Sequence, residues 1–270
     1  MPTNAEPDSA EALEPSVSPA ELVEAIDRHL RASEAGALLV ISRGHAWFVL
    51  ERGAEAGAGR LEAAASKALP KAHALSPERV SRLRAAGFVP AGDGRRSLVR
   101  PVERGQASAS ASALGGLLRA LFDAVYGPAA AGALRWDRRP AGPSTLQNPA
   151  LIQTMTEAAR AKDPAVARGR LYGAMLQATF LVLMDENDDP VQIDELQGWP
   201  VYAAFTDWAA LRRQDPRAPR YGLVPGRALF PRLAAMPLGS LLINPAGPTG
   251  GELYRNEVQT IAGAVYRGAP

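Results

Sequence analysis

The chain has 270 residues, of which 47% are apolar and 21% are charged, so wholesale disorder is excluded. No apolar run is long enough to cross a membrane, and no N-terminal stretch has the basic start and apolar block of a signal peptide. Cys is absent, which excludes disulfides, thiolate metal ligands and a Cys nucleophile. Together these features predict a cytoplasmic protein without a bound metal.

Residues 1–16 contain acids, Pro and Ser but no base and no apolar repeat, so we expect an acidic disordered tail there. The acids of this segment are Glu6, Asp8, Glu11 and Glu14. Order is predicted to begin at Ser18. Ser18, Pro19 and Glu21 have the spacing of a capping box, and apolar residues follow at helical intervals.

The segment 17–127 is predicted to be a first α+β domain. After the N-terminal helix, apolar runs at 37–41 and 46–50 flank a short turn, which is typical of a β-hairpin. A short helix is predicted from about Leu61 to Leu69, another is predicted to begin at Ser76, and a further helix covers Leu114 to Val125 before Gly127 ends it. The apolar pattern then stops.

Residues 128–147 are rich in Ala, Gly, Pro and Arg, and we interpret them as a linker. The pattern restarts at Asn148-Pro149, a helix start, and strands alternate with helices to the end of the chain. We therefore predict a second, α/β domain at 148–270. The expected architecture is two tandem mixed α/β modules that fold independently of one another.

No catalytic or cofactor motif was found: a nucleophile elbow, a phosphate-binding loop and a dinucleotide fingerprint are all missing. The three His residues have no ligand spacing between them. The acidic run at 185–189 resembles a calcium loop, but Pro190 and Leu196 occupy the positions that require Gly and Glu. We therefore expect a solvated turn there, and no metal or cofactor.

A turn between a buried strand and a helix, at Asn244 to Glu252, is the best candidate for a ligand loop. Such turns expose backbone N–H groups that can hold an anion. No Lys lies nearby for a nucleotide phosphate, so a structural turn is the first expectation and a small-ligand site the alternative. The residues of this loop that we single out are Asn244, Pro245, Gly247, Gly250 and Gly251.

From about residue 148 to 267 the sequence resembles the SseB N-terminal domain family. The resemblance is carried by Asn148-Pro149, by the segment Gly198-Trp199-Pro200 that leads to Phe205-Thr206, and by Ile243-Asn244-Pro245. It implies a small α/β domain with no established enzymatic activity, and it transfers no catalytic residue.

Residues 18–127 more weakly resemble the YbjN and CesT-like peptide-binding domains, which have the fold of type III secretion chaperones. This resemblance implies a non-catalytic adaptor or chaperone that binds a protein or peptide client, with secretion or effector proteins as one class of client. A groove or a sheet edge would hold an extended segment of the client. Trp47, Phe48 and Phe88 are the candidate contacts, and we expect either Trp47 or Phe48 to face outward.

Two alternatives remain open at this stage. One is an enzyme or small-ligand sensor with its site at Asn244 to Glu252. The other is a nucleic-acid binder that uses the Arg-rich stretches at 79–104 and 212–232. These stretches lack interleaved aromatics, and the codon bias of a GC-rich genome is the favoured explanation of their Arg content. Whether the chain forms a homodimer is also left open.

Overall fold

The computed structural model describes residues 17–64, 69, 71, 74–91, 97–103, 107–130, 132–143 and 145–267. The acidic tail predicted at 1–16 lies outside them. Across the described ranges the chain forms eight α-helices and two sheets. One sheet is antiparallel and the other is mixed, which confirms the α+β class.

The first half of the chain builds an antiparallel sheet with helices on one face. In order it contains α1 (Pro19–Ala32), β1 (Leu38–Arg43), β2 (Ala46–Arg52), β3 (Gly59–Ala63), α2 (Pro77–Ala85), β4 (Val89–Pro90), β5 (Leu98–Val102), α3 (Ala107–Leu121) and β6 (Leu134–Arg139). A π-helical turn at Phe122–Tyr126 and a 3-10 turn at Gly127–Ala130 follow α3. The strand order is β4-β5-β3-β2-β1-β6. The short helix predicted from about Leu61 is wrong at its start, because residues up to Ala63 pair with β2 and β5 as strand β3.

The second half builds a mixed sheet. It contains α4 (Pro149–Ala158), α5 (Pro164–Gln177), β7 (Thr179–Leu183), β8 (Asp194–Leu196), β9 (Trp199–Phe205), α6 (Trp208–Gln214), β10 (Tyr221–Pro225), α7 (Gly226–Ala234), β11 (Ser240–Ile243), β12 (Gly251–Tyr254) and α8 (Arg255–Arg267). The strand order is β10-β7-β9-β11-β12, and β8 pairs with β9. Strands β9 and β11 run parallel to each other.

The helix starts follow the sequence signals. The capping box predicted at Ser18 is confirmed, because the Ser18 hydroxyl accepts from the Glu21 N–H and the Glu21 carboxylate accepts from the Ser18 N–H. Ser76 likewise caps α2. These bonds satisfy N–H groups that the first helical turn leaves without partners.

The segment predicted as a linker contains the last strand of the first sheet. Strand β6 lies within 128–147 and pairs with β1 along its whole length, from Leu134 opposite Arg43 to Arg139 opposite Leu38. The first structural unit therefore extends at least to Arg139. The linker prediction missed β6 because its Arg-rich sequence has few apolar residues, as is common in strands at a sheet edge.

Successive side chains of β7, in the second sheet, pack into two different hydrophobic cores. Phe180 and Val182 pack with helices of the second half, whereas Leu181 and Leu183 belong to the core that also contains Trp47 and Val49 of the first sheet. Successive strand residues point to opposite faces, so the second sheet presents one face to its own helices and the other to the first half. The two halves thus share a core.

A buried ion pair lies within this shared core. The Arg212 guanidinium on α6 donates to Glu62 of β3 over 3.1 Å, and both side chains are almost fully buried, at 2% and 1% exposure. Arg212 also lies 3.4 Å from Glu51 of β2, and the Ser97 hydroxyl donates to Glu62. Polar side chains of β2, of β3 and of Ser97 in the first half therefore form one network around the Arg212 guanidinium of the second half.

The shared core changes the expectation for domain independence. The sequence favours two separable modules, but separation would expose one face of each sheet and leave Glu62 buried without Arg212. An unpaired buried charge is strongly destabilising. We therefore expect each half to depend on the other for its stability.

His29 is buried on α1 and held in its neutral form. Its side chain is fully buried, and its Nδ1 lies 3.1 Å from the Ser33 hydroxyl. The pKa of His29 is lowered to about 4, chiefly by burial and with a smaller contribution from the nearby positive charges of Arg138 and Arg52. Protonation of His29 therefore opposes folding.

We predict that His29 makes the protein less stable in mild acid. The unfolded chain takes up a proton near the ordinary pKa of 6.5, but the folded chain does so only near 4, so stability falls as the pH drops through this window. The loss due to His29 is on the order of 2–3 kcal/mol. Denaturant unfolding from pH 7 to pH 4 measures it. The variant His29→Phe should flatten the pH dependence, and an unchanged slope would contradict the prediction.

Candidate functional site

The three aromatic residues predicted to contact a partner lie in the core. Trp47, Phe48 and Phe88 are all buried. Phe48 packs edge-on against Phe122, with the ring centroids 5.0 Å apart, and against Tyr126. The expectation that either Trp47 or Phe48 faces outward is wrong, because helices cover one face of the first sheet and the second half covers the other.

Strand β6 offers an open edge of the first sheet. The Leu134 carbonyl accepts a hydrogen bond from the Val17 N–H over 3.0 Å, so the backbone groups of Leu134 point away from β1. Backbone groups alternate in direction along an antiparallel strand, so those of Trp136 and Arg138 point to the same open side. Within the described ranges, no residue outside the sheet hydrogen-bonds to the backbone of either.

A groove of about 600 Å³ lies between this edge and α1. Val17, Ala25 and Trp136 give it apolar walls, and the charged side chains of Glu21, Glu24, Arg28 and Arg135 surround them. Trp136 is half-buried and packs against the first core. An extended chain placed in this groove would find open backbone groups on one side and apolar surface beneath it.

The loop that follows β11 uses its polar groups internally. Asn244 is buried and has a left-handed backbone, with φ of 49°. Its side-chain amide donates to the Thr206 hydroxyl and to the Thr249 carbonyl, and its side-chain oxygen accepts from the Thr206 N–H. Its carbonyl accepts from the Gly247 N–H over 2.8 Å. The loop is thereby fixed to the end of β9.

Asn148 makes a second connection at the same place. Its amide donates to the carbonyls of Thr179 and Thr206, and its oxygen accepts from the Thr179 N–H. A groove of about 470 Å³ lies beside it, with Trp208 and Ile152 in its wall. The polar side chains at the carboxyl ends of β9 and β11 are thus engaged in structural bonds, which favours the structural interpretation of the loop.

Two carboxylates of the acidic turn pair with arginines. Arg220 pairs with Asp188 over 2.5 Å, and Arg232 pairs with Asp189 over 2.6 Å. The Asp185 carboxylate accepts from the backbone N–H groups of Asn187 and Asp189. In the part of the chain that the structure describes, no group of three or more acidic or His side chains is placed to hold a metal ion.

The Arg-rich stretch at 212–232 is largely committed to the fold. Arg212 is buried against Glu62, and Arg217 pairs with Asp215 over 2.7 Å. With Arg220 and Arg232 paired at the acidic turn, four arginines of this stretch bind carboxylates of the same chain. This use of the arginines favours a structural role over a nucleic-acid surface.

Residues 152–260 match the family model of the SseB protein N-terminal domain. The C-terminal half thus carries the SseB resemblance that its motifs predict. No curated protein and no solved structure matches the chain significantly. The chaperone-like resemblance of the N-terminal half stays a prediction. No helix among the described residues is long and apolar enough to cross a membrane.

The residues of the SseB match include Thr206 and Asn244, which are hydrogen-bonded to each other, but not strand β6 with its open edge. The candidate partner surface therefore lies in the half without a family match. Sequence reasoning missed it because the aromatic and basic residues of β6 stood in a predicted linker. The signal that identifies it is the alternation of apolar Leu134 and Trp136 with charged Arg135 and Asp137, which is the period of a strand with one apolar face.

We predict a structural cost at Gly250 in the SseB-like loop. A Cβ at Gly250 would lie 2.8 Å from the Asn244 carbonyl oxygen, closer than packed atoms tolerate. Gly250→Ala should lower the free energy of unfolding by about 1–3 kcal/mol. Gly251→Ala is the matched control, because its Cβ would meet only the Met155 methyl carbon at 3.9 Å. Equal stability of the two variants in denaturant unfolding would show that the close approach has no energetic role.

Proposed function

We propose that the protein is a non-catalytic adaptor or chaperone-like protein that binds an extended segment of another polypeptide along β6. On this proposal it acts in the cytoplasm, and secreted or effector proteins are one class of client. The observation that carries the proposal is the open backbone edge at Trp136 and Arg138, next to a groove with apolar walls.

Three features support binding over catalysis. The polar side chains at the end of β9, where α/β folds often hold ligands, are engaged in bonds that fix the loop. The buried carboxylate of Glu62 and the partly exposed carboxylate of Glu51 both bind Arg212 in a structural network. The groove beside β6, in contrast, combines the two elements of strand addition: hydrogen-bonding groups for affinity and an apolar surface for selectivity.

Hydrogen exchange on binding tests this proposal. The probe is a fluorescently labelled peptide of eight residues in which Thr and Val alternate. We expect its binding to slow the exchange of the Trp136 and Arg138 amides, which point outward. The Asp137 amide is the internal control, because it points towards β1 and is already protected. A peptide with four consecutive N-methylated residues should not bind.

Variants give a second measure. Trp136→Ala should weaken peptide binding about tenfold, or roughly 1.4 kcal/mol, since an aromatic anchor beneath the peptide is lost. Tyr266→Ala is the matched control, because Tyr266 is an exposed aromatic residue at the far end of α8. A thermal melt checks that both variants are folded. Equal binding of the N-methylated peptide, or slowed exchange confined to amides outside β6, would contradict the proposal.

A further inference from the structure

The open edge carries a stacked pair of side chains. The Arg138 guanidinium carbon lies 5.4 Å from the centre of the Trp136 ring, and the two residues are two positions apart on β6. Both side chains therefore point to the same face of the sheet, the face that α1 covers. A partner strand added to β6 would run directly beside this pair.

Arg138 differs from the other arginines around it. Arg139 pairs with Asp137 over 2.7 Å, Arg43 pairs with Asp123 over 2.6 Å, and Arg28 pairs with Glu24. Arg138 pairs with no carboxylate of the described residues, and its Nε and Nη2 are buried without a hydrogen-bond partner. A buried guanidinium nitrogen that makes no hydrogen bond loses its hydration without compensation, so a bound acceptor would be favourable there.

The surroundings of Arg138 add positive charge. Arg138 and Arg52 both act on His29, which places their charges near the same end of α1. Two acids, Glu21 and Glu24, and two arginines, Arg28 and Arg135, line the neighbouring groove, so the charges of its lining balance and those of Arg138 and Arg52 are left over. The charge available to a partner at this point of the edge is thus positive.

We propose that the partner held along β6 is an extended acidic peptide, one carboxylate of which pairs with Arg138 where that side chain stacks on Trp136. This inference rests on the proposed function and names the chemistry of its partner. The peptide backbone pairs with Trp136 and Arg138, and a Glu or Asp side chain on the α1 face reaches the guanidinium.

Three peptides that differ only in charge test the inference. Each has eight residues in which Thr alternates with Val, and one central Thr is replaced by Glu, Gln or Lys. We expect the Glu peptide to bind at least fivefold more tightly than the Gln peptide, and the Lys peptide to bind most weakly. The preference for Glu should decrease as salt rises, because partly exposed charges are screened.

Two neighbouring arginines provide the matched comparison. Arg138→Gln should abolish the preference, so that the Glu and Gln peptides bind this variant equally tightly. Arg139→Gln should retain the preference, because Arg139 already pairs with Asp137. If the Gln peptide binds but Arg138→Gln keeps the preference for Glu, the charge inference is wrong and the proposed function stands. If no peptide binds, both are wrong.

Two other occupants are distinguished in the same assay. If the Glu peptide binds only to a full-length variant in which Glu6, Asp8, Glu11 and Glu14 are changed to Gln, the chain's own acidic segment is the occupant and a separate partner is excluded. If a single-stranded oligothymidine of eight nucleotides binds more tightly than the Glu peptide and depends on Arg138, the site serves nucleic acid and the inference is overturned.

Discussion

The structure depends on one buried ion pair between its two halves. Arg212 on α6 pairs with Glu62 on β3, and both side chains are almost completely shielded from solvent. Burial of both charges is costly, and it is sustained because the guanidinium also approaches Glu51 and the Ser97 hydroxyl donates to Glu62. The pair forms only when α6 contacts the first sheet, so it joins the two halves of the chain into a single structure.

This contact decides which surfaces are left for function. Helices cover the outer face of each sheet, and the inner faces meet, so the large aromatic residues of the hairpin are enclosed on both sides. Binding surface must then come from sheet edges and from grooves beside helices. Strand β6 supplies both, since its outer backbone groups are open at Trp136 and Arg138 and the groove under α1 lies next to them.

Much of the local structure could be predicted from the sequence because its signals are local. The capping residues Ser18 and Ser76, the hairpin between β1 and β2, and the helix that begins after Asn148 depend on neighbouring residues alone. The structural character of the Asn244 loop was likewise expected, although its cause is the close approach of Gly250 to a carbonyl and the left-handed Asn244 itself.

The features that escaped prediction depend on contacts between distant segments. The alternation along β2 identifies the two faces of the strand but does not show what covers each face. The burial of both Trp47 and Phe48 could therefore not be predicted from the sequence. Strand β6 was hidden because an edge strand needs only one apolar face and its arginines suggested a linker. For the same reason, nothing in the local pattern indicated that Arg212 is a core residue rather than one more surface arginine.

If the two halves form one cooperative structure around Arg212, replacement of this residue must destabilise both halves together. Hydrogen–deuterium exchange of Arg212→Ala tests it most directly, with Arg217→Ala as the control because Arg217 makes only an exposed pair on the same segment. We expect Arg212→Ala to lower the opening free energy of the β2 and β9 amides by the same amount, about 3–5 kcal/mol, and Arg217→Ala to change neither. A loss of protection confined to the second half, with β2 unchanged, would contradict it.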